Sequence, residues 1–219
     1  MNMSMNLDQA RLAMIEQQVR PWEVLDPRVL KMLGSVRRED FVPAAYRQLA
    51  FADFPLPIGH GEIMMKPVVE GRLLQALAVS EGEEVLEIGT GTGYLTACLA
   101  QLAREVVSID LHEDFIASAR HRLGLAGITN ARAETADAFA WQPGRKFDAI
   151  AVTAAVAHVP SGFGRWLKPG GRMFIVHGLP PVQEASLFTW RGDSLHGESL
   201  FETDIPYLRG AEPVAQFTL

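Results

Sequence analysis

A glycine-rich turn at residues 89–93 is the part of this sequence best suited to chemistry. The segment 85–94 reads VLEIGTGTGY, in which Gly89, Gly91 and Gly93 follow an apolar run and precede an apolar segment with helical spacing. Glycines at such a turn let the backbone approach a ligand closely, and the free N–H groups at the start of the next helix face that ligand. The pattern predicts a strand, a ligand-binding turn and a helix in succession.

The residues around the turn distinguish between classes of cofactor. A dinucleotide fingerprint requires Gly or Ala at its sixth position, and this sequence has Tyr94 there. Glu87, just before the turn, is also poorly placed beside a pyrophosphate, although a strand-end acid can instead cap the backbone of the turn. A cationic sulfonium cofactor with a zwitterionic methionine part tolerates both residues better. We therefore favour such a cofactor and keep an NAD-dependent dehydrogenase as the rival.

The elements that must position this turn alternate between strands and helices. Apolar runs occur at 85–88, 106–109, 149–152 and 173–176, and helical patterns occur near 94–102, 114–123 and 161–167. Apolar runs without alternating polarity are typical of parallel strands covered on both faces. The segments 184–191 and 199–205, around Gly192-Asp193, indicate an antiparallel hairpin. We therefore predict an α/β fold with a doubly wound, mostly parallel sheet that ends in a C-terminal hairpin. Asp110, at the end of the second strand, stands where a carboxylate accepts hydrogen bonds from ribose.

The N-terminal third of the chain predicts helices and a loop. A helix is expected over about 6–20, stopped by Pro21, and a second one begins with Asp26 as N-cap and Pro27 at the first position and closes at Gly34. Prolines and glycines over 41–67 predict an ordered loop, and a helix follows around 69–77. We expect residues 1–80 to form an extension over the acceptor site and residues 81–219 to form one compact domain.

Composition limits the classes of partner. The 20 basic and 26 acidic residues give a net charge of −6, which provides no basic surface for nucleic acid or an anionic membrane. No run approaches the roughly 18 apolar residues of a membrane span, and the N-terminus lacks the pattern of a secretion signal. The single Cys98 excludes an intramolecular disulfide framework and a cysteine-rich metal site. We therefore expect a cytoplasmic protein that binds no metal, nucleic acid or membrane.

Several longer segments resemble a known family. Residues 84–94 resemble the first motif of class I S-adenosylmethionine-dependent methyltransferases. From about residue 14 to 178 the chain is similar to the protein-L-isoaspartate (D-aspartate) O-methyltransferase family, and four segments carry the match: RREDFVP at 37–43, DFPLPIGHG at 53–61, FDAIAVTAA at 147–155 and LKPGGR at 167–172. The resemblance implies a Rossmann-like methyltransferase fold, S-adenosyl-L-methionine as cofactor and isoaspartyl residues of damaged proteins as methyl acceptors.

The resemblance also implies which residues hold the cofactor. The glycines of the turn would contact the methionine part, Asp110 the ribose and Asp137 the adenine amino group. Asp137 lies in TADA at 135–138, where the family usually has Gly-Asp-Gly, so the adenine loop differs in shape. The complete implied set is Glu87, Gly89, Thr90, Gly91, Gly93, Tyr94, Asp110, Leu111, Asp137, Ala138 and Thr153.

The acceptor loop departs from the family pattern. Where the family usually has QTISQP, residues 62–67 read EIMMKP. Ile63 and Met65 cannot donate hydrogen bonds to an acceptor carboxylate, as the hydroxyls of the family do. Lys66 could pair with an acidic acceptor, and Glu62 would repel one. Met65 and His60 are our candidate residues on the acceptor side.

Three functions remain open on this pattern. The first is methylation of isoaspartyl carboxylates, which needs no general base because a carboxylate is already nucleophilic at neutral pH. The second is methylation of a small molecule in an apolar pocket under Met64 and Met65, and for a hydroxyl or amine acceptor His60 would be the first candidate base. The third is a non-catalytic protein that binds S-adenosyl-L-methionine and contacts a partner through the altered loop.

Overall fold

The computed structural model describes residues 6–214, and the chain begins with two helices. Helix α1 spans Leu7–Met14, continues as a π-helical segment over Ile15–Val19 and ends in a 3-10 turn at Trp22. The expected helix is therefore irregular in its second half, and it tightens near proline 21, which has no N–H to donate. Helix α2 spans Pro27–Ser35, and the Asp26 side chain accepts a hydrogen bond from the N–H two residues on, which confirms the predicted cap.

The predicted loop at 41–67 contains a short hairpin. Strands β1 (Leu56–Gly59) and β2 (Glu62–Met64) pair antiparallel, and two 3-10 turns precede them at 38–40 and 44–49. The prolines and glycines do exclude a long element, but Leu56 faces Met64 across the hairpin and both are buried. Helix α3 then spans Pro67–Leu77, as its apolar spacing predicts.

Seven strands form one mixed sheet below this region. They are β3 (Glu84–Ile88), β4 (Glu105–Asp110), β5 (Ala131–Thr135), β6 (Phe147–Val156), β7 (Leu167–His177), β8 (Gln183–Arg191) and β9 (Ser194–Thr203). Their order is β5-β4-β3-β6-β7-β8-β9, parallel from β5 to β7 and antiparallel in the last two pairs. The predicted fold class, a mostly parallel sheet with a C-terminal antiparallel hairpin, is confirmed.

The connecting segments differ from the predictions in detail. Helices α4 (Tyr94–Leu102) and α5 (Glu113–Leu125) lie where expected, but α6 is only Ser161–Gly164 because Leu167 already begins β7. The sequence did not reveal β5, whose residues ARAET lack an apolar run, and β9 begins at residue 194 rather than at 199. Among residues 6–214, no helix has the length and apolar character that a membrane crossing requires.

Two hydrophobic cores cover the two faces of the sheet. Neighbouring residues of one strand belong to different clusters: Val85 joins the first and Leu86 the second. This alternation is expected for strands buried on both faces. The first cluster also includes Met14 and Leu33, so the N-terminal helices share a core with the sheet. The division of the chain at residue 80 stays a prediction.

Candidate active site

A cavity lies where the parallel strands β3, β4, β5 and β6 end. This edge is where ligands bind in open α/β sheets. Ten of the thirteen predicted site residues line it: Met65, Glu87, Gly89, Thr90, Gly91, Asp110, Leu111, Asp137, Ala138 and Thr153. His60, Gly93 and Tyr94 do not line the cavity. The fold therefore brings together residues that are distant in sequence.

The first glycine of the turn allows the ends of β3 and β6 to approach each other. Gly89 has a φ of +100°, and a Cβ added there would lie 2.1 Å from Thr153 Oγ1. That hydroxyl donates hydrogen bonds to the carbonyls of Gly89 at 2.8 Å and Ile88 at 3.1 Å. Any side chain at position 89 would break this contact. Thr153 thus holds the turn in place from the neighbouring strand.

Gly93 and Tyr94 pack against protein rather than against the cavity. A Cβ at Gly93 would lie 2.9 Å from the Cβ of Ala119 on α5, so the glycine permits close packing of that helix. The Tyr94 ring is buried, with its centroid 5.8 Å from Phe41 and the Arg38 guanidinium 4.7 Å away. The sixth position of the turn therefore points its side chain into the core, which explains why a large residue fits there. A cofactor role for these two residues stays a prediction.

Glu87 presents an unpaired buried carboxylate oxygen. Its Oε2 accepts hydrogen bonds from the hydroxyls of Thr96 and Ser108, whereas Oε1 is buried without a partner among the described residues. Burial raises the pKa of Glu87 to about 8, although the two hydroxyl donors act in the opposite direction. Glu87 does not cap the turn backbone, which was one expectation. A buried acid of this kind fits a cationic ligand group.

Asp110 and Asp137 shape the other end of the cavity. Asp110 is buried at the end of β4, and its Oδ2 accepts the N–H of Gly91 at 2.8 Å while Oδ1 accepts that of His112 at 3.0 Å. Asp137 follows β5 and accepts the N–H of Phe139 at 2.9 Å. Both carboxylates therefore fix loop backbone where they line the cavity. Leu111 and Ala138 add apolar surface beside them.

The hairpin β1–β2 and the residues after it cover the cavity, and the buried Arg38 holds them through the Met65 carbonyl. Met65 lines the cavity, and its carbonyl accepts a hydrogen bond from Arg38 Nη2 at 2.7 Å. Arg38 is completely buried, pairs with Glu70 and donates to the carbonyl of Ala50 at 2.8 Å. Burial raises the pKa of Glu70 to about 7, and the Arg38 charge lowers it in opposition. The acceptor loop is thus fixed by a buried ion pair.

His60 lies at the exposed tip of the hairpin, with a φ of +55°. Its Nε2 is 2.9 Å from Asp114 Oδ2, and its ring stacks on His112 with centroids 4.0 Å apart and planes inclined by 8°. These three side chains could supply ligands to one ion. In nearly parallel rings, however, the nitrogen lone pairs run side by side and do not converge. We assign no metal to this cluster, and the expected absence of a metal stays a prediction.

The C-terminal segment contributes a residue that sequence reasoning missed. Residues 206–208 run along the end of β6, where the Leu208 N–H donates to the carbonyl of Ala155 at 2.7 Å. Arg209 follows and lines the cavity, with Nε 3.2 Å from Glu62 Oε1 and Nη2 donating to the His60 carbonyl at 2.7 Å. No sequence motif marks this arginine. Lys66, which we considered for an acidic acceptor, is exposed and does not line the cavity.

Comparisons with known proteins agree in their result. The family model for protein-L-isoaspartate(D-aspartate) O-methyltransferase matches residues 9–203. A protein-L-isoaspartate O-methyltransferase 2 of Syntrophobacter fumaroxidans is 43% identical over 157 residues, which cover 71% of this chain and 64% of that relative, slightly under two thirds. A protein-L-isoaspartate O-methyltransferase of Methylorubrum populi is 38% identical over 206 residues, covering 93% of this chain and 97% of that relative.

Solved structures agree at the level of the fold. A Plasmodium falciparum protein described as a protein-L-isoaspartate O-methyltransferase, in complex with S-adenosyl-L-homocysteine, superposes with a TM-score of 0.80 at 18% identity. The match covers 93% of this chain and 98% of that one. A second protein-L-isoaspartate O-methyltransferase structure has a TM-score of 0.77 at 25% identity, covering 90% and 65% of the two chains.

Proposed function

Because the chain belongs to the protein-L-isoaspartate(D-aspartate) O-methyltransferase family, we propose that it transfers a methyl group from S-adenosyl-L-methionine to the free carboxylate of isoaspartyl residues in proteins or peptides. The family match extends over most of the chain, including the acceptor hairpin and the strands that form the cavity. The protein is thus an S-adenosylmethionine-dependent methyltransferase, and its acceptor is the part of the proposal that most needs a test.

Glu87 is the single observation that best supports the cofactor assignment. Glu87 lines the cavity, and its buried Oε1 has no partner among the described residues, so we propose that it accepts a hydrogen bond from the ammonium group of the methionine part. A dinucleotide would instead bring phosphate charge to the turn beside this acid. The cavity therefore fits a cationic cofactor better than NAD.

We assign the remaining cofactor contacts by their position along the cavity. The backbone of the turn at Gly89, Thr90 and Gly91 would lie along the methionine part, with Thr153 holding the turn. Four residues at the ends of β4 and β5 would hold the nucleoside, namely Asp110, Leu111, Asp137 and Ala138. Gly93 and Tyr94 would act only indirectly, through the packing of α4 against its neighbours.

The chemistry requires positioning rather than proton transfer. Bound S-adenosyl-L-methionine supplies an electrophilic methyl group on a sulfonium. A carboxylate attacks that carbon without first losing a proton, so the chain needs only to align the acceptor and exclude water. Ile58, Ile63 and Met65 line the covered side of the cavity with apolar atoms, which suits that task. Arg38 positions Met65 through its carbonyl.

The test is a transfer assay with methyl-labelled S-adenosyl-L-methionine and two peptides that differ only in carrying an isoaspartyl or an aspartyl residue. We expect base-labile label on the isoaspartyl peptide and none on its twin. Calorimetry with S-adenosyl-L-homocysteine measures cofactor binding separately. Binding without transfer would refute the isoaspartyl proposal, and the lack of both would contradict the methyltransferase assignment.

A small-molecule acceptor is the second candidate, and the apolar lining supports it. Ile63, Met64 and Met65 offer no hydrogen-bond donor from their side chains. For a hydroxyl acceptor His60 is the candidate base, but its Nε2 pairs with Asp114 at the exposed hairpin tip and its side chain does not line the cavity. Label recovered in a small organic fraction, with both peptides unlabelled, would favour this candidate. Binding with no transfer to any acceptor would favour a non-catalytic role.

The proposed location is the cytoplasm. Cys98 is a free, completely buried thiol, and burial raises its pKa well above the usual range. A protein that carries a lone reduced cysteine suits a reducing compartment. Fractionation of cells that express the full chain, followed by immunodetection, would test this assignment.

A further inference from the structure

We propose that Arg209 binds the carboxylate of the methyl acceptor and positions it in the cavity. This inference rests on the proposed function, because it assumes an acceptor whose reacting group is an anion. It assigns a specificity role to a residue of the C-terminal segment, outside the glycine turn and the hairpin.

Acidic side chains dominate the lining of the cavity. Its acidic residues are Glu62, Glu70, Glu87, Asp110 and Asp137, of which Glu70 is paired with Arg38 and Glu87 is the buried acid described above. Within the part of the chain that the structure describes, Arg209 is the one lysine or arginine among the lining residues. An anionic acceptor entering this cavity is repelled unless a cation compensates its charge. Arg209 is placed to provide that compensation.

Arg38 and Lys66, the cations close to Met65 in the chain or in space, are not available to an acceptor. Arg38 is completely buried, and its guanidinium nitrogens already donate to Glu70 and to the carbonyls of Ala50 and Met65. Lys66 precedes α3, is exposed and does not line the cavity. An acceptor carboxylate inside the cavity therefore meets Arg209 first.

Arg209 has both a fixed position and unused donors. Glu62 and the His60 carbonyl take one N–H each, from Nε and Nη2. A guanidinium carries about five N–H donors, so both on Nη1 and one on Nη2 are without a partner among the described residues. The side chain is 53% exposed, so a ligand can reach it. Because Leu208 is hydrogen-bonded to the end of β6, the neighbouring arginine is anchored beside the cavity.

This geometry would let one carboxylate oxygen rest on Arg209 while the other faces the cofactor. It also predicts discrimination between substrate and product, because the methyl ester has lost the charge that the guanidinium binds. Glu62 would keep the guanidinium plane in place. The same reasoning predicts weak binding of any analogue in which the carboxylate is an uncharged amide.

The test compares an isoaspartyl peptide with its carboxamide analogue, used as an inhibitor, on wild type, Arg209→Gln and Arg209→Lys. For wild type we expect the KM of the peptide to lie at least about 10-fold below the inhibition constant of the amide, since hydrogen bonds to charged groups are the strong ones. In Arg209→Gln the KM of the peptide should rise about 10-fold or more, and the ratio of the amide's inhibition constant to that KM should approach one. Arg209→Lys should lie between them.

Arg47→Gln is the matched control. Arg47 has the same 53% side-chain exposure, pairs with Asp40 at 2.8 Å and does not line the cavity. It should keep the wild-type KM and ratio. The affinity of each variant for S-adenosyl-L-homocysteine, measured by calorimetry, identifies a role toward the cofactor.

Three results would overturn the inference. An unchanged KM and ratio in Arg209→Gln would show that the guanidinium does not bind the carboxylate. A loss of S-adenosyl-L-homocysteine affinity as large as the rise in KM would make Arg209 a cofactor ligand. A wild-type protein that binds the cofactor but does not methylate the peptide refutes the proposed function itself, and the inference with it. The first two results leave the proposed function standing.

Discussion

Replacing Glu87 with Gln should destabilise the protein at acid pH and stabilise it at alkaline pH. The folded protein holds this carboxyl completely buried, with a pKa of about 8 against an ordinary 4.5. Because the pKa is raised in the folded state, the protonated carboxyl stabilises the fold fully below pH 4.5, and that stability is lost as the pH rises to about 8. Gln carries no charge at any of these pH values.

The size of the effect follows from the pKa. Moving a carboxyl from 4.5 to about 8 corresponds to a cost on the order of 5 kcal/mol for ionising Glu87 in the folded protein. Against this, the Gln amide must replace the carboxyl between Thr96 and Ser108, which costs about 1–3 kcal/mol where a donor is left unsatisfied. Glu87→Gln should therefore be less stable than wild type at pH 5 and more stable at pH 8.5.

Urea denaturation of both proteins at pH 5, 7 and 8.5, without ligand, measures the difference in unfolding free energy. We expect the difference to change sign across this range, with Glu134→Gln, a substitution on the edge strand β5, as a control that shows no such change. S-Adenosyl-L-homocysteine should bind Glu87→Gln about 10- to 100-fold more weakly at pH 8. A difference between wild type and Glu87→Gln that is constant with pH would refute the assignment of a buried, protonated Glu87.

Three further outcomes are expected. Gly89→Ala should lower the free energy of unfolding, measured by urea denaturation, by about 2–4 kcal/mol, because the new Cβ meets Thr153 Oγ1. The control Gly127→Ala, also at positive φ but with open space around it, should lower it by about 1 kcal/mol. Equal losses in the two variants would contradict this reasoning. Arg38→Met should lower the free energy of unfolding by about 3–5 kcal/mol at pH 8 and by less at pH 5, where Glu70 takes up a proton. The double variant Arg38→Met with Glu70→Gln should recover part of this loss. A loss that does not change with pH would count against the ion pair. NADH fluorescence should not change on titration with the protein, and saturable enhancement would revive the dehydrogenase alternative.

The sequence by itself predicted four parallel strands, the C-terminal hairpin and the glycine turn. The runs that form β3, β4, β6 and β7 are apolar without alternating polarity, which is typical of strands covered on both faces. The glycine turn after β3 follows from local spacing. Glu87 and Asp110 could be placed for the same reason, because parallel strands end at one edge, whereas the role of Asp137 came only from the resemblance to the family. Strand β5 was not predicted because its residues do not form an apolar run. The hairpin at 56–64 was not predicted because its prolines and glycines locally disfavour strands, and only the pairing of β1 with β2 compensates for this.

Only the tertiary structure decided the contacts of the segment that we propose to face the acceptor. Arg38 reaches Glu70 and the Met65 carbonyl across about thirty residues of chain, and Arg209 reaches Glu62 from 147 positions away. Such contacts have no local signature, since a single arginine in an irregular segment looks like any solvated charge. Their partners are chosen by where the packed elements bring the two side chains, and by the high cost of leaving a buried charge alone. The glycine turn and Asp110 were therefore predictable from spacing and Asp137 from the resemblance, whereas the contacts of Arg38 and Arg209 depended on the folded arrangement of the chain.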